Sequence, residues 1–319
     1  MTQDVTNCPR CQRRTPAARG DCIYCGEQLP FSSIQSAPPQ RNIDPTERAF
    51  NTILEPSQAR ITEGIITALA SALQIESGEA QALIDAGKPV PLARSQTRSE
   101  AEMISALVRT CGLRASIIAD EEMMIGQELL RARRIGIEAD SIRIQTSSGE
   151  VSVPRSEIKL MVLGELRNVR VDYTEGISAR GSQSGSVLDS SEFRSEETLL
   201  DLYSSSVDHS FRIKSDAFDY SGLVSPLSFR SDLNFRAAMR ALREAVPNST
   251  VDSDFSRMRI LLNRAWPERT KNESRGIKRS GLAFRAIAQA SVLSNNQDQF
   301  DRYSRLMLLC EMRRQTRNA

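Results

Sequence analysis

Residues 8–25 read CPRCQRRTPAARGDCIYC, which places two Cys-x-x-Cys pairs ten residues apart, Cys8 with Cys11 and Cys22 with Cys25. Two such pairs can close tetrahedrally around one metal ion. So short a segment buries too little apolar surface for a core, so metal ligation must supply its folding free energy. These cysteines therefore decide the fold of the N-terminal part of the chain. Because four thiolates leave no open position for a substrate, they predict a structural metal.

Zinc is the metal that this cluster predicts. Sulfur ligands select zinc or iron over magnesium or calcium, and a single iron also fits four thiolates, so zinc rests on its frequency in such sites. A disulfide framework needs an oxidising compartment, yet residues 1–5 resemble no signal peptide. Since no run of about 18 apolar residues occurs either, we expect a cytoplasmic protein. Gly26, directly after Cys25, suits a turn with positive φ.

The stretch from Cys8 to Leu29, which ends CGEQL, resembles the short zinc ribbons found at the ends of many bacterial proteins. The resemblance implies a structural zinc site, with partner binding as the usual further role. A small, purely structural zinc module that binds no partner explains the cysteines equally well. Between Asp4 and Glu27 there are four arginines and three acidic residues. The resulting charge of +1 is too small to predict nucleic-acid binding.

The length of 319 residues allows two or three domains of about 150 residues each. The chain is 39% hydrophobic and 26% charged, which is typical of globular segments joined by polar ones. Its net charge is +2, but the charge is distributed unevenly along the chain. From Pro226 to the C-terminus there are 18 basic and nine acidic residues. We predict an α+β, multi-module protein with five parts: a zinc ribbon at 1–30, a flexible Pro/Ser/Gln-rich linker at 31–47, a βαααβ domain at 48–120, a β-rich domain at 121–225 and a mainly helical basic region at 226–319.

The pattern within 48–120 predicts a strand, three helices and a final strand. Ser57 is the expected N-cap of the first helix, Gly87 follows the second, and Ser99-Glu100-Ala101-Glu102 forms a capping box that opens the third. The apolar face of the first helix comprises Ile61, Ile65, Ile66, Leu69 and Leu73. The strands are Phe50–Leu54 and Leu113–Ala119, and Lys88–Leu92 is extended because of its prolines.

The run GEAQALIDAGKPVPL at 78–92, followed by SEAE at 99–102, resembles the C-terminal domain of the large-ribosomal stalk protein, whose fold the Clp protease adaptor shares. The resemblance covers Phe50 to Ile118 and implies a small protein-binding scaffold. The stalk domain contacts translation factors through lysines on its first helix. Here that helix, Ile61 to Gln74, contains no lysine.

The β-rich domain at 121–225 is expected to form a small antiparallel sheet or barrel. We expect a helix at 121–137 that carries Met123, Met124, Leu129 and Leu130, and a disordered Ser/Gly-rich insert at 176–197. Alternation around Gly149 predicts a hairpin of Ile142–Thr146 with Val151–Val153. Further strands are expected at Ile158–Leu163, Val169–Tyr173, Leu199–Tyr203 and His209–Ile213.

The region 226–319 contains three apolar stripes with helical spacing, near Phe235–Val246, Phe255–Leu262 and Phe300–Leu309. Between them, 269–279 reads as a basic loop, and 282–293 is ambiguous between helix and strand. Nucleic-acid binding through this loop is an alternative function, although a solvated loop explains it as well because no aromatic residue interleaves it. The candidate phosphate contacts are Arg269, Lys271, Arg275, Lys278 and Arg279.

Catalytic signals are few in this sequence. His209 is the only histidine, and Asp201, Asp208, Asp216 and Asp219 lie near it, but its alternating neighbours favour an ordinary strand residue. No nucleophile elbow, phosphate-binding glycine loop or metalloprotease helix occurs. We therefore expect a non-enzymatic zinc-binding adaptor of the bacterial cytoplasm that binds protein partners through the ribbon and the stalk-like domain. An enzyme of unknown class is a further alternative, and neither a membrane nor a small-molecule substrate is expected.

Overall fold

A computed structural model describes residues 5–16, 22–27, 43–44, 47–57, 60–177, 186–206, 209–280 and 285–318. The predicted linker at 31–47 lies outside these residues except for 43–44 and 47. The chain forms two compact units, one of Met1–Gly126 with Met258–Pro267 and one of Gln127–Arg257 with Glu268–Ala319. Helices and several β-sheets together confirm the α+β class. None of the described helices combines the length and the apolar character that a membrane span requires.

The first unit contains a two-stranded and a three-stranded antiparallel sheet. In the smaller one, β1 (Val5–Asn7) pairs with β2 (Arg14–Pro16). The larger one has the order β4-β3-β5, and three helices accompany it. The elements are β3 (Phe50–Leu54), α1 (Glu63–Leu73), α2 (Ser77–Asp85), β4 (Val90–Ser95), α3 (Arg98–Thr110) and β5 (Ala115–Ala119).

The element order in this region is βααβαβ, so the predicted order βαααβ is wrong by one strand. The extended segment that the prolines predict continues to Ser95 and pairs with β3 as β4. Pro91 is tolerated because β4 is an edge strand, where a missing backbone donor costs no ladder hydrogen bond. Every residue of β4 is buried, so its tertiary position made it a strand.

The helix ends test the capping predictions individually. Thr62, not Ser57, is the N-cap of α1. The capping box of α3 is formed by Thr97 and Glu100, two residues before the predicted start, with Thr97 Oγ1 accepting from the Glu100 N–H at 3.2 Å. Gly87 follows α2 with a φ of +66°, as predicted.

Residues Met258–Pro267 belong to the first unit, although the sequence places them in the helical C-terminal region. Trp266 is buried, and its indole Nε1 donates to Asn51 Oδ1 at 2.8 Å. The Asn51 amide in turn donates to Asp120 Oδ1 at 2.8 Å. Arg264 donates to the backbone carbonyls of Leu92 at 3.1 Å and Leu73 at 3.0 Å. A distant segment therefore completes the core of this unit.

The second unit contains a seven-stranded sheet and a three-stranded sheet. The larger has the order β14-β15-β10-β11-β12-β6 with β13 also paired to β10, and the smaller has the order β7-β8-β9. The strands are β6 (Leu130–Ala132), β7 (Arg134–Ile137), β8 (Ser141–Gln145), β9 (Glu150–Pro154), β10 (Ile158–Ile177), β11 (Ser186–Ser204), β12 (Phe211–Lys214), β13 (Thr250–Asp252), β14 (Arg269–Ser280) and β15 (Arg285–Asn295). The helices are α4 (Ser231–Ala245), α5 (Phe255–Leu262) and α6 (Gln297–Asn318); the residues of α5 up to Arg257 are assigned to this unit and those from Met258 to the first.

The helix predicted for 121–137 is wrong, whereas the predicted hairpin is confirmed as β8 and β9. Residues 121–126 form turns, and β6 and β7 follow. Leu130 pairs with Phe211 of β12, and Ile135 is fully buried. Strand pairing and burial thus override the helix propensity of the local residues.

The disordered insert predicted for 176–197 is also wrong where the structure describes it. Residues 176–177 lie in β10 and 186–197 lie in β11, whereas 178–185 fall outside the described residues. The segment lacks apolar periodicity, but β10 supplies partners for its backbone groups. Its order comes from the ladder and not from its own side chains.

The region 226–319 is not mainly helical, because three of its segments are strands. The predicted basic loop at 269–279 lies in β14, and the ambiguous segment 282–293 falls largely in β15. β15 pairs with β10, for example through Ser291 opposite Asp172. The three apolar stripes do form helices, as predicted.

Alternate side chains of β11 lie on opposite faces of the large sheet. Leu200 and Leu202 belong to a core cluster that includes Phe235 of α4 and the small sheet. Tyr203 faces α6, where its hydroxyl lies 2.8 Å from Ser304 Oγ. On this side Gly164 permits close packing, since a Cβ there would lie 2.2 Å from the ring of Phe300.

Candidate metal centre

Both cysteine loops have the same backbone geometry. In the first, Cys8 donates its N–H to Arg13 O at 3.0 Å and its carbonyl accepts from the Gln12 N–H at 2.9 Å. The second loop repeats both bonds at the same spacing from Cys22, at 2.8 and 2.9 Å. Each loop thereby turns its two sulfurs toward the other loop. Thr15, which is buried, links them by accepting from the Ile23 N–H at 3.3 Å.

The four sulfurs form one cluster that could hold a metal ion. All of the Sγ atoms lie within 4.8 Å of one another, and the Cys8–Cys25 and Cys11–Cys22 pairs are each separated by 3.5 Å. A tetrahedral ion with Zn–S bonds of about 2.3 Å places its sulfurs about 3.8 Å apart. The Cys8–Cys25 and Cys11–Cys22 separations lie within a few tenths of an ångström of this value. The predicted ligand set is therefore brought together.

The charges of the cluster also favour a cation. Burial raises the pKa of Cys22, but the backbone N–H groups of Tyr24 and Cys25 and the neighbouring thiols lower it to about 6. At Cys25 the Glu27 backbone lowers the pKa, but burial and the other three sulfurs raise it to about 12. One thiolate thus forms readily and opposes ionisation of the next. A dication that neutralises several thiolates removes this repulsion.

The residue after the second cysteine of each loop has a positive φ, +56° at Gln12 and +71° at Gly26. The expectation for Gly26 is confirmed. Gln12 adopts the same region at a cost of about 1–2 kcal/mol that glycine avoids.

We predict that Gly26→Ala weakens metal binding about tenfold, because a Cβ at this φ costs about 1–2 kcal/mol. No atom lies within 4 Å of the added Cβ, so the loss reflects backbone strain and not a clash. Gln12→Ala is the matched control and should change the affinity little, since position 12 already bears a Cβ. Competition with a chromogenic chelator measures both constants. Equal losses in the two variants would contradict the prediction.

The second loop exposes two apolar side chains. Ile23 is 46% exposed and Tyr24 is 54% exposed. The guanidinium of Arg13 lies 5.1 Å from the centre of the Tyr24 ring, a cation–π distance. Arg10 forms an ion pair of 3.4 Å with Glu27. Ile23 and Tyr24 could not be recognised as surface residues from the sequence, because two apolar residues between cysteines carry no signal of exposure.

The residues considered for catalysis do not form one site among the described residues. His209 is exposed and lies in a turn before β12, so its predicted place in a strand is wrong. Asp219 pairs with Arg134 at 3.7 Å, and Asp216 accepts from Ser215 Oγ at 3.2 Å. Asp208 lies outside the described residues.

Asp201 belongs to a buried ion network that the sequence analysis missed. It lies opposite Arg212 across β11 and β12, and accepts from Arg212 Nε at 2.7 Å and Nη2 at 2.8 Å. Ser304 Oγ of α6 donates to Asp201 at 2.6 Å, and Asp301 lies 2.7 Å from Arg212 Nη1. Burial opposes the charge of Arg212, but the two carboxylates raise its pKa. The network therefore attaches α6 to the sheet.

The candidate nucleic-acid residues lie on an edge strand, β14. Lys271 pairs with Glu273 at 2.8 Å and Arg269 pairs with Asp298 at 3.6 Å, so nearby acids compensate both charges. The backbones of the other three residues belong to β14, and their side chains lie outside the described part. These three are Arg275, Lys278 and Arg279.

No family model, curated protein or solved structure matches this chain.

Proposed function

We propose that this protein is a non-enzymatic zinc-binding adaptor whose ribbon, residues 5–16 and 22–27, binds a protein partner. The exposure of Ile23 and Tyr24 beside the closed cysteine cluster carries this proposal. A tetrathiolate site offers no position for a substrate, so the chemical use of the metal is to hold a surface. Exposed apolar and aromatic side chains on a small rigid support are typical of protein contacts.

Zinc is the proposed metal. The Cys8–Cys25 and Cys11–Cys22 sulfur separations are close to those of a tetrahedral zinc site. Thiolate ligands also select zinc over cations that prefer oxygen ligands, such as magnesium and calcium. Reduced thiols would keep the site intact in the cytoplasm, which is the proposed location.

Local charge favours a protein partner over a polyanion at the ribbon. Zinc with four thiolates has a formal charge of −2, which offsets the arginines. The described ribbon residues include three arginines (Arg10, Arg13 and Arg14) and one acidic residue, Glu27. Their summed charge cancels that of zinc with four thiolates, so the ribbon with zinc is close to neutral. A neutral surface gains little from the counterion release that drives nucleic-acid binding.

The stalk-like scaffold at 48–120 is proposed as a second protein-binding surface. Leu69 and Leu73 of α1 are buried, but Ile65 and Ile66 on the same predicted face are only half-buried. The start of α1 therefore leaves apolar surface that a partner could cover.

The test compares zinc-loaded full-length protein with an Ile23→Ser/Tyr24→Ser variant. Proximity labelling in cells of the source organism identifies the partner, and calorimetry with the purified partner gives the affinity. We expect one zinc per chain in both proteins and at least tenfold weaker binding by the variant, because exposed aromatic anchors contribute about 2 kcal/mol or more to such interfaces. Ile260→Ser is the control, since Ile260 is 78% exposed and lies outside the ribbon. An unchanged affinity for the partner in the double variant would refute the ribbon as the docking surface.

A further inference from the structure

One face of α4 carries three exposed arginines. Arg236, Arg240 and Arg243 are separated by four and three residues, which places them on one face of the helix. The opposite face packs Phe235 and Leu242 into the core. We call these three residues the arginine stripe.

The stripe has no ion pair or hydrogen bond with a carboxylate among the residues that the structure describes. Nearby, Arg230 shows the contrasting case, because both oxygens of Asp232 accept from it, at 3.1 and 2.8 Å. This bond from Arg230 is the main reason that the pKa of Asp232 is lowered, and Arg236 contributes least. No carboxylate among the described residues therefore forms a close ion pair with the stripe.

The stripe lines a groove of about 610 Å³ between α4 and the segment that leads into β13. This volume is within the range of about 300–1,000 Å³ that small-ligand sites occupy. Met239, Val246 and Pro247 form apolar parts of its wall, and Glu244 is the one carboxylate among the described lining residues. The groove therefore combines excess positive charge with apolar surface.

We propose that this groove binds the sugar–phosphate backbone of a single-stranded nucleic acid. Guanidinium forks bind phosphates in bidentate fashion, and the stripe presents three of them along about 10 Å of one helix face, which is long enough to reach two phosphates of an extended strand. The apolar wall contacts base faces, which only an unpaired strand exposes. A bilayer does not follow a concave surface, so the groove favours a strand over a lipid headgroup layer.

This site is separate from the β14 residues and independent of the proposed ribbon function. Two double variants with the same charge change distinguish the sites: Arg240→Glu/Arg243→Glu in the groove and Arg275→Glu/Lys278→Glu in β14. Fluorescence anisotropy of a labelled oligouridylate with full-length zinc-loaded protein at low salt gives each affinity. Circular dichroism and the thermal transition verify that both variants fold, and Arg240→Lys/Arg243→Lys keeps the charge while removing the forks.

We expect at least tenfold weaker binding in the groove variant, a change within twofold in the β14 variant, and an intermediate affinity for the lysine variant. The slope of log affinity against log salt should fall by about 1.4 in the groove variant, since each lost phosphate contact on a single strand contributes about 0.7. Absence of binding by the wild type, or equal losses in both glutamate variants, overturns the proposal. Equal affinity for a duplex, or binding to phosphatidylserine vesicles but not to the oligonucleotide, overturns it as well.

Discussion

Cys22→Ser is expected to abolish stoichiometric metal binding and to unfold the ribbon while the rest of the chain stays folded. Cys22 is buried and its sulfur lies 3.5 Å from that of Cys11, so its loss opens the cluster at the centre. Metal binding contributes about 10–16 kcal/mol in comparable zinc peptides, and a segment of this size has no core to replace it. We expect one zinc per chain in the wild type by elemental analysis and none in the variant.

Two cysteines outside the cluster provide the control. Cys111 is buried at the end of α3 and Cys310 lies in α6, and neither takes part in a disulfide. Serine at either position should leave the zinc content unchanged. Hydrogen exchange localises the effect, because the amides of 5–16 and 22–27 should lose protection in Cys22→Ser only. A folded, protected ribbon without metal would contradict the structural role of the cluster.

Asp201→Ala is expected to destabilise the second unit by about 3–5 kcal/mol, because removal of one partner leaves a buried charge without compensation. Asp201 is fully buried, and among the described residues Arg212 would retain Asp301 alone as an ionic partner. For a unit of this size the loss corresponds to about 6–20 °C in the midpoint of thermal unfolding. Scanning calorimetry of the full chain should show the shift in one transition.

Two further variants separate the charge effect from loss of packing. Asp201→Leu/Arg212→Met/Asp301→Asn removes all three charges together and should recover much of the lost stability, since neutral side chains of similar volume are often as stable as a buried ion network. Glu192→Ala removes an exposed pair with Arg194 and should shift the transition little. If Asp201→Ala and Glu192→Ala shifted the midpoint equally, the buried network would not be what holds α6.

The predictions that succeeded depend on residues close together in sequence. Gly26 was expected to have a positive φ from its position after Cys25, and the turn geometry is complete within five residues. The end of α2 at Gly87 is also local. Such features follow from local sterics and hydrogen bonds, which a short stretch of sequence contains in full.

The predictions that failed concern segments whose structure depends on partners outside the segment itself. Residues 186–197 and 269–279 have polar side chains and no apolar periodicity, yet both are strands because β10 and β15 satisfy their backbone groups. The buried pair of Asp201 and Arg212 could not be predicted either, because an aspartate in a strand carries no sign of the helix that will cover it. Ser304, which bonds to Asp201, is 103 residues away.

The four-cysteine cluster, the α+β class and most of the helices could be predicted from the sequence, because cysteine spacing and helical periodicity repeat within a few residues. The three-dimensional structure was needed to show which polar segments are strands, which segment supplies Trp266 to the first unit, and which of the described arginines lack a carboxylate partner. The reason is physical: a backbone hydrogen bond or an ion pair depends on what lies a few ångströms away in space, whatever the separation along the chain.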